Sequence, residues 1–523
     1  MYTNHLFVLN SAIRNRLNIN KNSFVAFVDM EKAFDRVDRR LLFFRLQQYG
    51  INGRIYEIIK AIYTGNKSSV KVNDNMTDWY DVNCGVRQGD ILSPLLFNLY
   101  INDLVVTIKK LNLGIAMGNL TLGVLLYADD LAILAENESD LQIMLNTLYT
   151  WCEKWKLRVN INKTNVIHFR AIRFPRSTVE IKYGECDVLY TSQYKYLGIY
   201  VDEYLKYDIG IKNLSDAGQR ALGSIIGKCK QLKDFSYRTF TKLYETCVNP
   251  VLNYSSAVWG YKSRDCINKV YFSAIRYFLG VHKFCPILAL QGEMGWKLPV
   301  DWQQINMIIY WNHLCSMSDD RLTKKVFLYD YSICDRNWCA EVKNIMSRVD
   351  MMETFQNCVL CIVSNFQNGL DKMTLETWRA DIMLKPKLRT YRLLKTSCNA
   401  EIYLKSFMSK YKRSLLVQIR TGILPLNIET GRHRNIPVDL RLCTLCDLNE
   451  TESEEHFICR CIVYEDLRKK LYLYLSVNYP NFNNRNDQNK LVLILGDECK
   501  YFSSHFLEDA WKRRKMLLYK NNV

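Results

Sequence analysis

The sequence predicts an α+β fold, with strands in the first 205 residues or so and helices in most of the remainder. Two apolar runs of strand length, at residues 23–28 and 122–135, are typical of buried strands. Helical patterns separate these runs. Beyond residue 205 strand signals are few, and the pattern is largely helical. Strands and helices that occupy different parts of a chain favour the α+β class over a repeating βαβ arrangement.

The first strand, SFVAFV, ends at Asp29. A helix follows through LLFFRLQQYG, with Asp38 as its expected N-cap and Gly50 as its stop. Two short strands around a turn are predicted at residues 70–73 and 78–82. These elements place a polar loop before the next helical segment.

The next helix is predicted to begin at Ser93 and Pro94, because serine caps helices and proline suits the first helical position. We expect it to reach about Lys110. The apolar run at 122–135 then predicts two strands with Asp129 and Asp130 at the turn between them. Another helix is expected at 139–155, and the Asn-rich stretch near residue 480 is the best candidate for a loop or boundary.

Composition and charge limit the class of protein. Hydrophobic residues make up 48% of the 523 residues and charged residues 24%, a globular rather than a disordered composition. The formal net charge of +18 favours an anionic partner, with nucleic acid the first candidate and a merely basic protein the alternative. We find no signal peptide and no apolar run of about 18 residues. The 18 cysteines are therefore expected to be free or metal-bound in a reducing compartment.

Three aspartates are candidates for a catalytic metal site. Asp29 ends one predicted strand, and Asp129 and Asp130 lie at a turn roughly 100 residues later; pairing of the strands would bring them together. Clustered carboxylates repel one another unless cations lie between them. Two divalent ions, with Mg²⁺ favoured by oxygen ligands, are the common use of such a group in phosphoryl transfer. Solvated turn residues are the alternative.

A cysteine and histidine cluster is the second candidate site. Cys443, Cys446, His456 and Cys461 have the spacing C-x2-C-x9-H-x4-C, which suits a structural zinc ion. Cys459 is an alternative fourth ligand. Buried free thiols in a cysteine-rich chain are the other interpretation.

Five segments resemble motifs A to E of the reverse transcriptases of non-LTR (LINE-like) retrotransposons. They are FVDMEKAFDRV, GVRQGDILSPLLFNLYIND, YADD, WCEKWKLRVNINKT and YKYLGIYVD, in the family's order within about 200 residues. The resemblance continues more weakly through PVLNYSSAVWG and LQGEMGW to the Cys/His cluster. It therefore covers most of the chain.

This resemblance implies roles for the residues that match each motif. Asp29, Asp129 and Asp130 would be the catalytic triad that binds two Mg²⁺ ions, with Asp29 and Asp129 the more direct ligands. Lys163 matches the lysine that protonates pyrophosphate, with a surface lysine as the alternative. Phe34 holds the steric-gate position that selects deoxynucleotides, with a core aromatic as the alternative.

Further residues are assigned to substrate and primer in the same way. Gln88 and Gly89 match the motif B loop that approaches nucleotide and template, where glycine lets the backbone come close. Arg87 would meet phosphate or be a solvated charge. The remaining assignments are Tyr127 and Ala128 to substrate binding, and Tyr196, Leu197 and Gly198 to the primer grip.

The resemblance also implies a right-hand polymerase architecture. We expect partial fingers and palm at 1–205, a thumb-like helical region at 206–300, a helical connector at 301–425, a CCHC zinc module at 426–475 and a tail at 476–523. About 28 residues precede Asp29, fewer than the family's fingers need. The sequence is therefore expected to be the C-terminal part of an element's open reading frame, with truncated fingers.

The expected function is that of an RNA-directed DNA polymerase. Its partners would be an RNA template, a DNA target or primer and deoxynucleotide triphosphates, without a membrane. A nuclear location is expected, a cytoplasmic one is also compatible, and secretion is not. The alternatives are an inactive remnant that only binds nucleic acid and a different two-metal enzyme such as a nuclease. A nuclease would leave GVRQGD and YKYLGIYVD unexplained.

Overall fold

A computed structural model describes residues 2–232, 234–406 and 408–521. The chain ends of the predicted ranges 1–205 and 476–523 therefore lie partly outside the described residues. The α-helices are α1 Tyr2–Asn18, α2 Arg39–Gln48, α3 Gly53–Tyr63, α4 Ser93–Lys110, α5 Glu138–Trp155, α6 Asp208–Gln231, α7 Tyr237–Leu243, α8 Asn249–Leu252, α9 Ser256–Trp259, α10 Asp265–Leu279, α11 Ile287–Met294, α12 Pro299–Cys315, α13 Leu322–Ile333, α14 Trp338–Ser347, α15 Met352–Gln356, α16 Val363–Met383, α17 Tyr391–Leu394, α18 Lys410–Arg420, α19 Asn427–His433, α20 Glu465–Asn478, α21 Asp487–Leu495 and α22 Lys500–Asn521.

In the part of the chain that the structure describes, the strands all precede residue 203. They are β1 Ser23–Asp29, β2 Lys67–Ser68, β3 Lys71–Val72, β4 Asn75–Met76, β5 Tyr80–Asp81, β6 Ile115–Met117, β7 Leu120–Leu122, β8 Val124–Tyr127, β9 Asp130–Ala135, β10 Asn165–Phe169, β11 Ile181–Tyr183, β12 Cys186–Tyr190, β13 Gln193–Tyr196 and β14 Ile199–Asp202. Single π-helical turns occupy Tyr244–Val248 and His456–Arg460, and 3₁₀ turns occupy Pro386–Leu388, Ile402–Lys405, Val438–Leu440 and Ile462–Tyr464. The predicted α+β class is confirmed.

One six-stranded sheet organises the first 205 residues, in the order β11-β12-β10-β1-β9-β8. Neighbouring strands are antiparallel except β10 and β12, which are parallel. Strand β1 lies at the centre and is covered on both faces. Phe24 and Ala26 pack into one apolar cluster with α4 and α5, whereas Val25 and Phe27 pack into the opposite cluster. Burial on both faces explains why SFVAFV is apolar without alternation.

The predicted α2 and hairpin are confirmed, with adjustments at their ends. The Asp38 carboxylate accepts hydrogen bonds from the backbone N–H of Arg40 and Leu41, at 2.9 and 3.2 Å, and so caps α2. The predicted cap at Ser93 is wrong: α4 has already begun at Ser93. The Ser93 hydroxyl is buried and lies 3.2 Å from the Tyr63 hydroxyl instead.

The two strands predicted at 70–73 and 78–82 do not pair with each other in the structure. Strand β3 pairs with β4, and β5 pairs with β2, so the two predicted segments belong to different two-stranded ladders. Each ladder is only two residues long, which is too short for a recognisable periodicity.

The chain after β14 is helical in the part that the structure describes, as predicted. Helix α22 packs on α18 and α20. A buried ion pair between Arg514 and Glu452, with N···O distances of 2.7 and 2.9 Å, attaches α22 to the Cys/His segment. Among the described residues, every helix is too short or too polar to cross a bilayer. The predicted domain ranges stay predictions.

Candidate active site and metal centre

The three aspartates meet at one end of the central sheet. Asp29, the last residue of β1, lies directly opposite Asp130, the first residue of β9. Asp129 occupies the turn between β8 and β9, where Ala128 adopts a left-handed φ of 54°. Because side chains alternate along a strand, Asp29 shares its face with Phe27. The strand pairing therefore places two carboxylates side by side and a third beside them.

The electrostatics of this group are those of crowded carboxylates. Partial burial raises the pKa of Asp130, and the neighbouring charges of Asp129 and then Asp29 raise it further. Burial, Asp29 and Asp130 together raise the pKa of the adjacent Tyr194 to about 12. The three carboxylates do not come within 4.8 Å of one another as a set, in contrast to the Cys/His cluster. Such a group favours cations between its members.

The motif D turn is joined to the end of β1. The Asp29 N–H donates to the Thr164 hydroxyl at 3.2 Å, and the Asp29 carbonyl accepts from the Asn160 N–H at 2.8 Å. Lys163 lies in this turn with an exposed side chain. Its predicted role as a proton donor stays a prediction, and Thr164 is a supporting residue that the sequence reasoning missed.

Phe34 is half-buried beside motif B. Its ring stacks on Phe97 of α4 with centroids 4.8 Å apart, and its carbonyl accepts from the Val86 N–H at 2.9 Å. Gly85 has φ of 82°, and a Cβ there would lie 2.8 Å from the Asp35 carbonyl oxygen. Motifs A and B are thus in direct contact, and the ring at the predicted gate is held by α4.

The other motif B residues lie on an exposed turn. Gln88 donates to the Asp35 carboxylate at 3.1 Å, which is a second link between motifs A and B. Arg87 donates to the Ile62 carbonyl at 2.9 Å. Gly89 has φ of 85° with open space where a Cβ would point, so its backbone conformation favours glycine. The predicted nucleotide and template contacts of these residues stay predictions.

The predicted primer grip is the turn between β13 and β14. Leu197 and Gly198 have φ of 45° and 86°, and Tyr196 is buried. The Tyr254 hydroxyl donates to the Leu197 carbonyl at 2.9 Å, and a Cβ on Gly198 would lie 2.8 Å from that hydroxyl. Tyr254 therefore supports this turn. It lies in PVLNYSSAVWG, a segment singled out without a role.

Helix α1 packs against Tyr127 of the YADD segment and against Tyr254, the residue that supports the turn between β13 and β14. The Tyr2 ring stacks on Tyr254 at a centroid distance of 5.2 Å. The His5 ring packs edge-on against Tyr127 at 5.4 Å, and Tyr127 directly precedes Ala128 in the YADD turn. The first turn of α1 thus links the YADD turn to the residue behind the primer-grip turn, a connection that the sequence reasoning missed.

The Cys/His cluster is assembled in the structure. The ligand atoms of Cys443, Cys446, His456 and Cys461 all lie within 4.8 Å of one another, and Cys446 Sγ is 3.4 Å from His456 Nε2. Glu450 Oε2 lies 3.0 Å from His456 Nδ1. A carboxylate on the second ring nitrogen is the usual way to orient a metal-binding histidine. This group could hold a metal ion.

Within the cluster, hydrogen bonds and burial favour the thiolate form of Cys443 and the protonated forms of Cys446, Cys461 and His456. A hydrogen bond from Cys461 lowers the pKa of Cys443 to about 3 despite its burial. Burial alone would lower the pKa of His456, but hydrogen bonds with Cys443 and Glu450 outweigh it and raise that pKa. Cys459 lies outside the group. Its Sγ is 3.7 Å from the Asp487 carbonyl, and burial raises its pKa to about 12.

Residues 5–201 match the family model for reverse transcriptase (RNA-dependent DNA polymerase). The RNA-directed DNA polymerase from mobile element jockey of Drosophila funebris is 28% identical over 252 residues, 47% of this chain and 26% of that protein. The Pol polyprotein from type-1 retrotransposable element R2 of Nasonia vitripennis is 30% identical over 209 residues, 38% of this chain and 20% of that protein. The chain spans about a quarter of the length of the curated relatives it matches first.

Among solved structures, a telomerase from Candida albicans in complex with a fragment of telomeric RNA is 13% identical, with a TM-score of 0.31. The match covers 67% of this chain and 52% of that one, and so low a score supports no conclusion. The family match, by contrast, spans motifs A to D, all but the last residue of motif E, and both strands that carry the aspartates. Residues 5–201 are therefore a reverse transcriptase domain, and it matches those of LINE-like retrotransposons.

Proposed function

We propose that this chain is an RNA-directed DNA polymerase that extends a primer 3′-hydroxyl with deoxynucleotides on an RNA template. The observation that carries the proposal is the placement of Asp29 opposite Asp130, with Asp129 in the adjoining turn. The motif A segment, which contains both Asp29 and Asp35, also contacts the motif B turn through the hydrogen bond from Gln88 to Asp35, as a nucleotide site between them requires.

The carboxylate group fits two Mg²⁺ ions. All its donors are hard oxygens, which Mg²⁺ prefers. Burial raises the pKa of Asp130, and repulsion from Asp129 and Asp29 raises it further. Asp29, Asp129 and Asp130 would hold the ions, which when bound would supply activation of the 3′-oxygen and neutralisation of charge on the phosphates. In the reaction a bond forms between the 3′-oxygen and the α-phosphorus while the bond to the β-phosphate oxygen breaks. The 3′-proton goes to solvent, and Lys163 protonates the departing pyrophosphate.

The remaining site residues orient the reactants. Phe34, supported by Phe97, excludes a ribose 2′-hydroxyl, and the exposed turn at Gln88 and Gly89 approaches the base pair being formed. Tyr127 and Ala128 shape the hairpin tip under the primer end. The primer itself rests on Tyr196, Leu197 and Gly198, whose turn Tyr254 supports.

The cluster of Cys443, Cys446, His456 and Cys461 fits a structural Zn²⁺ ion. Three sulfurs and one imidazole nitrogen lie within 4.8 Å of one another, and such soft ligand sets select zinc. Zinc there supplies folding free energy to the segment between α19 and α20. The proposed partners are an RNA template, a DNA target or primer and deoxynucleotide triphosphates, for which the net charge of +18 is suitable. A nuclear location follows from such partners.

Primer extension tests the proposal. With Mg²⁺, deoxynucleotides and an RNA template annealed to a primer, the wild-type chain should extend the primer and Asp129→Ala should not. Asp187→Asn is the matched control, because Asp187 is an exposed aspartate on the same sheet that lies opposite Lys182 instead of another aspartate. If the wild-type chain binds RNA but never extends the primer, the polymerase proposal is wrong and a remnant that only binds nucleic acid is supported.

A further inference from the structure

A polar cavity of about 300 Å³ lies between α1 and α14, and none of its lining residues belongs to motifs A to E. Three of those residues, Asn10, Arg14 and Asn18, follow one another at intervals of one helical turn along α1. Residues at this spacing lie on one face of a helix, and this face is polar although most buried positions of α1 are apolar. The volume is at the lower end of the roughly 300–1,000 Å³ of small-molecule sites, and it suits one nucleobase.

The side chains of Asn10 and Arg14 are held in place and keep free hydrogen-bond donors. The Asn10 side-chain oxygen accepts from the Tyr207 hydroxyl at 3.3 Å, and Arg14 donates to the Leu205 carbonyl at 2.7 Å. Asn10 is only 6% exposed, yet its amide N–H groups have no acceptor among the described residues and keep accessible surface. The remaining N–H groups of Arg14 are likewise unpaired in the described part of the chain and accessible. One wall of the cavity thus offers donors to a ligand.

Helix α14 adds an unpaired carboxylate, that of Glu341. Among the described residues, the half-buried Glu341 side chain accepts no hydrogen bond and has no cationic nitrogen within 4.0 Å. Burial raises its pKa, and the charges of Lys262, Arg14 and Arg348 offset that rise only in part. Glu341 and Arg14 therefore line the same cavity with more than 4.0 Å between their charged atoms. The gap leaves room for a ligand between carboxylate and guanidinium.

Tyr261 gives the cavity a flat apolar surface. Its side chain lines the cavity and is half-buried. Within residues 2–232, 234–406 and 408–521 its ring packs against no other aromatic ring, so it is available for stacking. The Lys262 ammonium lies 5.8 Å from the centre of this ring, and the side chain is exposed. A cation is thus present beside the ring for a phosphate.

We propose that this cavity binds a guanine base. Guanine presents two adjacent acceptors, O6 and N7, and two adjacent donors, N1–H and the 2-amino group. Asn10 and Arg14 donate to O6 and N7, Glu341 accepts from N1–H and the 2-amino group, and Tyr261 stacks on the ring. Unpaired RNA bases are recognised in this way, by bonds to their exposed edges and by aromatic stacking.

The base belongs either to an unpaired guanosine of an RNA or to a free guanine nucleotide. Both carry the same hydrogen-bonding edges and a phosphate for Lys262. Neither depends on polymerisation, so the site stands or falls separately from the proposed function.

Equilibrium dialysis of the full chain against labelled GMP tests the site, with a chelator present to keep the polymerase centre free of metal. IMP, which lacks the 2-amino group, should bind about tenfold more weakly than GMP, the usual worth of one hydrogen bond to a charged group. AMP and CMP, which leave groups on both walls unpaired, should bind more weakly still. Asp129→Ala should bind GMP as the wild-type chain does, because the polymerase centre takes no part.

Glu341→Gln tests the acceptor at nearly constant size. The variant should raise the Kd for GMP at least tenfold, because a charged acceptor is lost. Its Tm should stay unchanged or rise, because the carboxylate has no partner in the described part of the protein, and unfolding therefore does not explain the loss. Glu376→Gln is the matched control: Glu376 is an exposed glutamate of α16 outside the cavity, and its neutralisation should leave the Kd unchanged.

An oligouridine RNA with one central guanosine distinguishes the two sources of the base. If RNA is the ligand, this strand should bind more tightly than the same strand with inosine, and Glu341→Gln should remove the difference. If a free nucleotide is the ligand, the two strands should bind equally while GMP is still preferred over IMP. The proposal is overturned if neither GMP nor the guanosine strand binds more tightly than its inosine counterpart, or if Glu341→Gln leaves the preference unchanged.

Discussion

Substitution of Asp130 by asparagine should stabilise the metal-free protein, contrary to the usual sign for a point mutation. Asp130 faces Asp29 across the strand pair, and directly opposed residues have Cβ atoms about 5 Å apart. At that distance two unit charges in a water-like dielectric repel by about 0.8 kcal/mol. Asp129 adds a second repulsion. Because the carboxylate is only partly buried and keeps contact with solvent, we expect a total gain of ~0.5–1.5 kcal/mol for Asp130→Asn.

Thermal unfolding with and without Mg²⁺ measures this effect. In a metal chelator, Asp130→Asn should have the higher Tm. When Mg²⁺ is added, the wild-type chain should gain stability by mass action, by about 1.4 kcal/mol at ten times the Kd, and the variant should gain less. The difference between the Tm of the variant and the Tm of the wild-type chain should therefore become smaller, or change sign, when Mg²⁺ is present.

Asp187→Asn is the control for the chemistry of the substitution. Asp187 lies opposite Lys182 on β11, so its neutralisation removes an attraction and should slightly lower the Tm with or without Mg²⁺. If Asp130→Asn also lowers the Tm in the chelator, the carboxylates do not repel one another and the inference of a cation site from crowding is wrong.

Four further predictions follow from other parts of the structure. Cys443→Ser should abolish binding of one Zn²⁺ equivalent and expose the segment around α19 and α20 to protease, whereas Cys459→Ser should retain the metal, as measured by elemental analysis. Phe34→Val should raise incorporation of ribonucleotides relative to deoxynucleotides by at least tenfold in single-nucleotide extension, because the ring that meets the 2′-hydroxyl is lost. Tyr254→Phe removes the hydrogen bond to the Leu197 carbonyl and should slow extension about three- to tenfold with no change in the KM for deoxynucleotide; an equal loss in RNA binding alone would contradict a role at the primer end. Burial raises the pKa of Asp330 from 3.8 to about 6, so the folded state holds the proton more tightly. Stability should therefore fall by ~3 kcal/mol in total as pH rises from about 3 to about 7, and Asp330→Asn should remove that part of the pH dependence of the Tm.

The sequence predicted the elements whose signals are local. SFVAFV is apolar along its whole length, and the structure buries β1 on both faces. Asp38 precedes a helical pattern, and its carboxylate caps α2. The hairpin around Asp129 could also be predicted from the sequence, because two apolar runs flank a polar turn. In each case the residues that determine the element are neighbours in the chain.

Predictions from the local sequence were wrong or incomplete where a residue far away in the chain determines the structure. Ser93 has the local chemistry of a cap, but the Tyr63 hydroxyl provides a buried partner and the helix begins earlier. The sequence could not show that Asp29 lies opposite Asp130 rather than Asp129, because a shift of one residue in register leaves the apolar pattern of the two strands almost unchanged.

The sequence also could not identify the fourth ligand of the Cys/His cluster, even though the two candidates are only two residues apart. Both Cys459 and Cys461 have spacings that suit zinc. The backbone decides between them: the π-helical turn ends at Arg460, and Arg468 donates to the carbonyls of Ile458 and Cys461 at 2.8 and 2.6 Å. Cys459 is directed to the Asp487 carbonyl instead.

Helix α1 gives the two turns of the proposed polymerase site a common support. His5 packs against Tyr127 in the YADD turn, and Tyr2 stacks on Tyr254, which bonds to the primer-grip turn. Displacements of about 1 Å between reacting groups cost roughly a hundredfold in rate, so the metal-binding turn and the primer-binding turn must keep a fixed separation. A single helix that packs against Tyr127 and against Tyr254 couples the positions of the two turns, directly at the first and through Tyr254 at the second. The chemistry proposed for the aspartates therefore depends on residues that carry no chemical signature in the sequence.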